Sequence, residues 1–262
     1  MDKYSQLLDL LRGLESAILA YSGGVDSTLL LKAGATALGD RFLPVIGRSC
    51  SLPQRELLQA RAMAGHVGVR LEEVEVGEMS DPQYLANPVD RCFHCKQHLF
   101  GILTRMAATR GYARVLDGAN RDDLGDYRPG IEAATKLGVR HPLIEVGMGK
   151  LEIRASLRCL GIPVWDRPAA ACLASRVPFG MPITEAKLRR IEKAEDLLLG
   201  MGFGVVRVRD FDHLAVIEVG SDEVARLLSD GVRQQVALAV ESVGYRRVAM
   251  DVRGYSMGSL NP

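Results

Sequence analysis

The sequence predicts an α/β fold, a mainly parallel sheet with flanking helices, joined to a small α+β domain. Short apolar runs of strand length alternate with stretches of helical spacing, as in right-handed strand–helix–strand crossovers. The first of these runs, Ala17-Ile18-Leu19-Ala20-Tyr21, leads into a glycine turn and then a helix. Beyond Gly180 come one charged amphipathic helix and a period-two hairpin, which predict the second part. The boundary is placed there, with one domain over 1–180 and another over 181–262.

Composition narrows the function classes. Lys plus Arg number 33 and Asp plus Glu 32, so no strongly basic nucleic-acid surface is expected. No apolar stretch is long enough to span a membrane. The charged N-terminal stretch does not read as a signal peptide, and the expected location is cytoplasmic. Five cysteines, two of them as Cys92-x-x-Cys95, favour metal or redox chemistry over structural disulfides.

Tyr4, Leu7, Leu8, Leu11 and Leu14 recur at helical spacing and predict a first helix packed on the sheet. The strand and glycine loop follow, then a helix to about Leu38. Phe42 to Ile46 reads as the second strand despite Pro44. Pro53 opens a third helix. Val69 to Val74 and Ala113 to Asp117 read as further strands, and Ile162-Pro163-Val164 as a last short one. In the second domain, Ile183 to Leu199 is a helix, Val205 to Arg209 and Leu214 to Val219 pair as strands, two helices follow, and Arg246 to Val252 ends the sheet.

The glycine loop, Ser22-Gly23-Gly24-Val25-Asp26-Ser27, carries the strongest chemical signal. A strand, a glycine turn and a helix N-terminus form an anion site, because free backbone N–H groups and the helix dipole both favour negative charge. Gly23 and Gly24 let the backbone approach a phosphate, and Ser22 and Ser27 offer hydroxyls. Asp26 suits such a nest only if it holds a metal ion or a proton. No Gly-Lys-Ser/Thr is present, so the loop is not of the Walker type, and no Gly-x-Gly-x-x-Gly opens the helix.

Other candidates lie at predicted strand ends, where open α/β sheets bind ligands. Ser49 follows the second strand. Gly118 to Gly130 follows a later one, with Asp122 and Asp126 able to approach Mg2+ or order a nucleotide and Arg128 able to meet a carboxylate or phosphate. Lys150 and Arg154 share a helix face and suit either phosphate or solvent. Cys92-x-x-Cys95 alone fits half a zinc site, a redox pair or part of an iron–sulfur site, with His94 and His98 nearby. Cys172 lies in an alanine-rich loop four residues before Arg176, where a thiolate would be stabilised. Cys50 and Cys159 read as packing residues. Arg207 and Arg209 share one strand face and could bind a phosphate or a free carboxylate.

The Ser-Gly-Gly-x-Asp-Ser loop after the first strand resembles the pyrophosphate loop (PP-loop) of the N-type ATP pyrophosphatases, which have an adenine nucleotide alpha hydrolase-like fold. Taken with Cys92-x-x-Cys95 before Lys96, the Gly118 to Gly130 loop and the Cys172 to Gly180 loop, the chain resembles the LarE family. These are ATP-dependent sulfur transferases that build the nickel-pincer nucleotide cofactor of lactate racemase. The resemblance implies adenylation of a carboxylate of pyridinium-3,5-biscarboxylic acid mononucleotide, then its conversion to a thiocarboxylate. It implies ATP and Mg2+, held by Ser22, Gly23, Gly24, Asp26, Ser27, Ser49, Gly118 and Asp122. Substrate falls to Asp126, Arg128, Ser175, Arg207, Arg209 and Arg253, with Cys172, Asp26 and Arg176 as catalytic residues. Some members sacrifice a single cysteine, at the position like Cys172. Others hold a 4Fe-4S cluster with three, and this chain looks like the latter, with Cys92, Cys95 and Cys172. The family tail usually reads Gly-Tyr-Arg-Ser-Gly-Ser, whereas here it is Gly254-Tyr255-Ser256-Met257-Gly258-Ser259. A sulfide donor and a homo-oligomer are the expected partners. The rival readings are a tRNA thiolase of the same superfamily, a single-turnover sacrificial-cysteine enzyme, and an iron–sulfur or nucleotide-sensing protein without turnover.

Overall fold

The computed structural model describes residues 2–125, 129–168 and 171–256. In chain order the first elements are α1 (Lys3–Arg12), β1 (Ala17–Ala20), α2 (Val25–Leu38), β2 (Phe42–Arg48), α3 (Gln54–Val67) and β3 (Glu72–Glu75). Then come α4 (Pro82–Leu85), α5 (Arg91–Arg110), β4 (Arg114–Leu116), α6 (Pro129–Lys136), α7 (Pro142–Glu145) and α8 (Lys150–Cys159). The last are α9 (Glu185–Gly200), β5 (Val206–Phe211), β6 (Leu214–Val219), α10 (Val224–Leu228), α11 (Asp230–Ser242) and β7 (Arg247–Met250). They form two compact units, residues 1–78 with 90–170, and residues 79–89 with 171–262.

The first unit is the expected α/β fold, a four-stranded parallel sheet in the order β3-β2-β1-β4 flanked by helices. Every residue of the central strand β1 is buried. Ala17 and Leu19 join the core with α1, α2, α3 and α8, while Ile18 and Ala20 pack with Phe100 and Leu103 of α5. This is the two-sided burial that parallel strands require. Pro44 is tolerated inside β2 for a geometric reason. The Tyr21 N–H donates to the Val45 carbonyl at 2.9 Å, so Val45 faces β1 and Pro44 faces β3. Pairing with β3 begins only at Val45, so the missing N–H breaks no bond.

Two predicted strands are corrected. β3 starts at Glu72, not Val69, because the Val69 N–H donates to Ala64 O at 3.0 Å and closes the end of α3. Ile162-Pro163-Val164 is no strand: the Ile162 N–H closes α8 onto Leu157 O at 2.9 Å, and Pro163–Asp166 is a short 3-10 helix.

The second unit is a separate small mixed sheet in the order β5-β6-β7, with β5 and β6 antiparallel and β6 and β7 parallel. Val206, Val208, Ala215, Ile217 and Val219 form its core with Ala194 and Leu198 of α9. Within this unit the segment 79–89 is fastened to the 177–183 stretch. The buried Asn87 amide donates to the carbonyls of Val177, Pro178 and Met181 at 3.2, 2.8 and 3.0 Å. No helix among the described residues is long and apolar enough to cross a membrane.

Candidate nucleotide site and cysteine loop

Parallel strands place the residues that follow β1, β2 and β4 along one sheet edge. The loop after β1 is internally bonded. Ser27 Oγ donates to Gly24 O at 3.1 Å, and Ser22 Oγ donates in turn to Ser27 Oγ at 3.0 Å. Thr28 Oγ1 also donates to Gly24 O, at 2.8 Å. Gly24 is the N-cap of α2 and no side chain caps this helix, so the first N–H groups of the helix point outward without intrahelical acceptors. Gly23 has φ +75°, and a β-carbon there would lie 3.0 Å from Ala60 Cβ of α3.

The loop after β4 lies against this turn. A β-carbon on Gly118 would sit 3.0 Å from Ser27 N and 3.2 Å from Ser27 Cα. Asn120 is buried and its side chain reaches Asp26. Asp26 is also gripped by Lys150, with Nζ 2.6 Å from Oδ1 and 2.5 Å from Oδ2. Burial pushes the Asp26 carboxyl up, Lys150 pulls it down, and the nearby Asp123 charge pushes it up again. Asp122 accepts the Lys150 backbone N–H at 2.7 Å and pairs with Arg121, and the former bond chiefly holds its pKa low. Arg154 donates to the carbonyls of Trp165 and Arg167, at 2.6 and 2.7 Å.

Ser49 follows β2, on the same sheet edge. Its hydroxyl donates to the buried Glu78 carboxylate and accepts the Ser51 N–H at 2.9 Å. Asp126 and Arg128 lie outside the described residues.

In the second unit, Cys172 is exposed at the head of a short 3-10 turn, Leu173–Arg176. Its carbonyl accepts three bonds, from Ser175 N at 3.0 Å, Ser175 Oγ at 2.7 Å and Arg176 Nη1 at 3.0 Å. Arg176 reaches this carbonyl and pairs with Glu195, with both side chains buried. Arg209 pairs with Glu218 at 2.6 Å and donates to Ser175 O at 3.1 Å. Arg207 lies over the Tyr255 ring at 5.0 Å, its pKa lowered by burial and then by the neighbouring Arg176. The structure thus gathers Cys172, Ser175, Arg176, Arg207 and Arg209 in one neighbourhood. Arg253 is an exposed partner of Asp251 and lies within electrostatic reach of Glu218, the partner of Arg209.

Cys92 and Cys95 occupy the first turns of α5, three residues apart and so on one helix face. Cys92 is exposed and Cys95 half-buried. Among the described residues no group of three or more His, Cys, Asp or Glu side chains is assembled to hold a metal ion. Cys50 and Cys159, expected as packing residues, are exposed instead, each on an outward face of its segment.

Sequence reasoning missed Asn120, Asp123 and Glu195 as supports. Glu195 carried a readable signal: it falls on the stripe Leu188, Ile191, Ala194 and Leu198, all buried on α9. A carboxylate on a core stripe requires a buried cation. Asn120 carried no such local signal.

The glycine turn, the bare helix N-terminus and the acidic residue beside them define a PP-loop nucleotide site. No family model matches the chain. An uncharacterised protein of Synechocystis is 42% identical over 248 residues, 95% of this chain and 92% of its own. The pyridinium-3,5-bisthiocarboxylic acid mononucleotide synthase of Lactiplantibacillus plantarum is 32% identical over 262 residues, 99% of this chain and 94% of its own. A glutamine-hydrolysing GMP synthase of Aeropyrum pernix is 27% identical over 231 residues, covering 75% of this chain and 42% of its own. The chain belongs to the PP-loop, N-type ATP pyrophosphatase-like proteins. Within them it is related to LarE-type sequences, represented by the Lactiplantibacillus synthase, and to GMP synthases.

Proposed function

We propose that the chain is an ATP-dependent sulfur transferase that releases AMP and pyrophosphate. It converts a carboxylate of pyridinium-3,5-biscarboxylic acid mononucleotide to a thiocarboxylate. The observation that carries this reading is the likeness to the Lactiplantibacillus synthase along 99% of the chain.

The chemistry suits the residues. A carboxylate is a poor electrophile until one oxygen becomes part of a phosphate leaving group. Its oxygen attacks the α-phosphorus of ATP, the bond to the β-phosphate oxygen breaks, and pyrophosphate departs. The α2 N–H groups with Ser22 and Ser27 would hold the departing charge, and Asp26 would hold Mg2+, which supplies positive charge against the phosphates when bound. Sulfur then attacks the acyl carbon and AMP leaves. The Cys172 thiol is exposed on a loop pinned by Arg176 and Arg209, a setting suited to one ligand of the cluster that would carry that sulfur. Arg207 and Arg209, with Ser175, take the mononucleotide phosphate or its free carboxylate.

Cys92, Cys95 and Cys172 are the residues that would hold a 4Fe-4S cluster, which supplies an iron without a protein ligand to bind sulfide. The donor set fits in chemistry. Thiolates are the soft ligands such clusters take, and Cys92 and Cys95 share a face one helical turn apart. The proposed assembly is a homo-oligomer, supported by the exposed Leu228 and Leu238 on α10 and α11, and light scattering tests it.

The central test incubates the protein with ATP, Mg2+ and the biscarboxylic mononucleotide, without RNA. AMP and pyrophosphate are the expected products. ADP with orthophosphate, or no turnover without tRNA, would reject the reading.

A further inference from the structure

We propose that Tyr255 is a positioning residue for the substrate: its ring fixes the plane of the Arg207 guanidinium and so aims the N–H edge of that group at the phosphate of the bound mononucleotide. This rests on the reading that Arg207 takes part in binding the mononucleotide. The observation behind it is a choice of partners on the second sheet. Arg207 of β5 stands directly opposite Glu218 of β6. Yet both Glu218 oxygens go to Arg209, which donates from Nε at 3.0 Å and from Nη2 at 2.6 Å. Arg207 lies over the Tyr255 ring, 5.0 Å from its centroid.

The backbone after β7 delivers that ring. The Asp251 N–H donates to Ile217 O at 2.9 Å and continues the parallel pairing with β6. The next bond to β6 comes from Tyr255, whose N–H donates to Val219 O at 2.7 Å. Regular parallel pairing would place residue 253 there, since both strands advance two residues between such bonds. Two extra residues therefore bulge out, closed by the Gly254 N–H on Asp251 O at 3.1 Å. Gly254 has φ +75°, and a β-carbon on it would lie 2.8 Å from Val219 O and 3.0 Å from Ser221 Cα. Glycine is the residue that fits this turn.

A stack on an aromatic face holds a guanidinium without using its N–H groups, which lie in the plane of the fork. A carboxylate takes two of them, as Glu218 does from Arg209. Arg207 Nη1 also donates to Val206 O at 2.8 Å, which fixes the fork in a second direction. Arg176, Arg207 and Arg209 share this neighbourhood with Glu195 and Glu218, three cations against two anions. Burial first, and then the Arg176 charge, hold the Arg207 pKa below its usual value. A phosphate relieves this excess of positive charge, and a planar fork held at a set angle matches two phosphate oxygens. Tyr255 and Arg207 are both half-buried, so solvent and solutes reach the pair.

Calorimetry with the biscarboxylic mononucleotide tests this. Tyr255→Leu should raise its Kd about threefold to thirtyfold, while Tyr255→Phe, which keeps the ring, should stay within about twofold of wild type. ATP affinity should not change in either variant. The dephosphorylated nucleoside should bind wild type and Tyr255→Leu alike. The decisive readout is a double-mutant cycle with Arg207→Gln. In that background Tyr255→Leu should have no further effect on Kd, because the ring acts through the arginine. A role for Tyr255 in the fold alone would give the same loss in both backgrounds. The inference is overturned by unchanged affinity in Tyr255→Leu, by an equal loss in Tyr255→Phe, by additive losses in the cycle, or by a matching loss for ATP or the nucleoside. Wild-type protein that binds no mononucleotide overturns the substrate reading itself, whereas tight wild-type binding with an indifferent Tyr255→Leu rejects only the role of Tyr255.

Discussion

Arg176 and Glu195 are joined by two parallel bonds, Nε to Oε1 at 2.8 Å and Nη2 to Oε2 at 3.1 Å, with both side chains buried. The same guanidinium holds the carbonyls of Ala171 and Cys172 at 2.8 and 3.0 Å. One fork therefore ties α9 to the loop that displays the exposed Cys172 thiol. The pair's value lies in position more than in raw stability, since buried ion pairs recover little beyond their desolvation cost.

Glu195→Ala should destabilise the protein by about 3–5 kcal/mol, because it strands a buried guanidinium. Urea unfolding measures this. Replacing both partners, Arg176→Met with Glu195→Leu, should recover most of that stability. It should not recover sulfur transfer, since the Ala171 and Cys172 carbonyls lose their donor. A Glu195→Ala protein as stable as wild type would show that the fork does not hold the loop.

Gly118→Ala tests the packing of the loop after β4 against the nucleotide turn. The new methyl group would meet Ser27 backbone atoms at 3.0 and 3.2 Å, and backbone cannot swing aside as a side chain can. Overpacking of this kind costs about 1–3 kcal/mol. Borne by the nucleotide-ready arrangement, it should raise the Kd for ATP about fivefold to a hundredfold. Equilibrium dialysis with ATP checks this, and wild-type affinity would show that the two loops separate freely.

His141 should make stability depend on pH. Its Nδ1 lies 2.6 Å from Asp117 Oδ1 and its Nε2 3.2 Å from Thr135 Oγ1. The Thr135 hydroxyl already donates to Ile131 O at 3.0 Å, so it can only accept. Both ring nitrogens therefore donate, which is the protonated imidazolium, and the pKa is raised above 6.5, first by the Asp117 bond. The stabilisation is fully present below the unfolded value near 6.5 and fades as pH rises through the higher folded value. Urea midpoints of wild type and His141→Gln should differ most at pH 5.5 and converge by about pH 9. A constant difference across that range would contradict the assignment.

The sheet and its nucleotide turn were legible because their signals are local. An apolar run, two glycines and a helix start lie within a dozen residues, and the backbone there has few alternatives. The Lys150–Asp26 contact spans 124 residues and depends on how α8 docks beside α2, so no window of sequence contains it. Val69 and Ile162 misled for a different reason. Each is a β-branched residue just after a helix-ending glycine, where propensity favours a strand but the N–H group is taken by the helix cap. Arg176 read as a partner for the Cys172 thiol, whereas the observed bonds go to the loop carbonyls and Glu195. Only the buried stripe of α9, with its misplaced carboxylate, hinted at that partner.

The three cysteines give the most decisive experiment on the sulfur source. Cys92 and Cys95 lie in the first turns of a 20-residue helix, three residues apart on one face. Cys172 is exposed, and its backbone is fixed through its own carbonyl. If the three hold a cluster, protein purified without oxygen should contain iron, absorb visible light, cycle with added sulfide and keep its intact mass. If Cys172 were sacrificial, each chain would act once and be left with dehydroalanine in place of the thiol. An iron-free protein with that mass loss after reaction would reject the cluster. Single Cys→Ala variants at 92, 95 and 172 separate the steps further. Cys172 is exposed, so Cys172→Ala should change stability by about 0.5 kcal/mol or less. Each variant should lose sulfur transfer yet still release pyrophosphate from ATP with the carboxylate substrate, because the proposed adenylation uses the glycine turn and not the thiols. Loss of pyrophosphate release along with sulfur transfer would mean that a thiol takes part in activation itself.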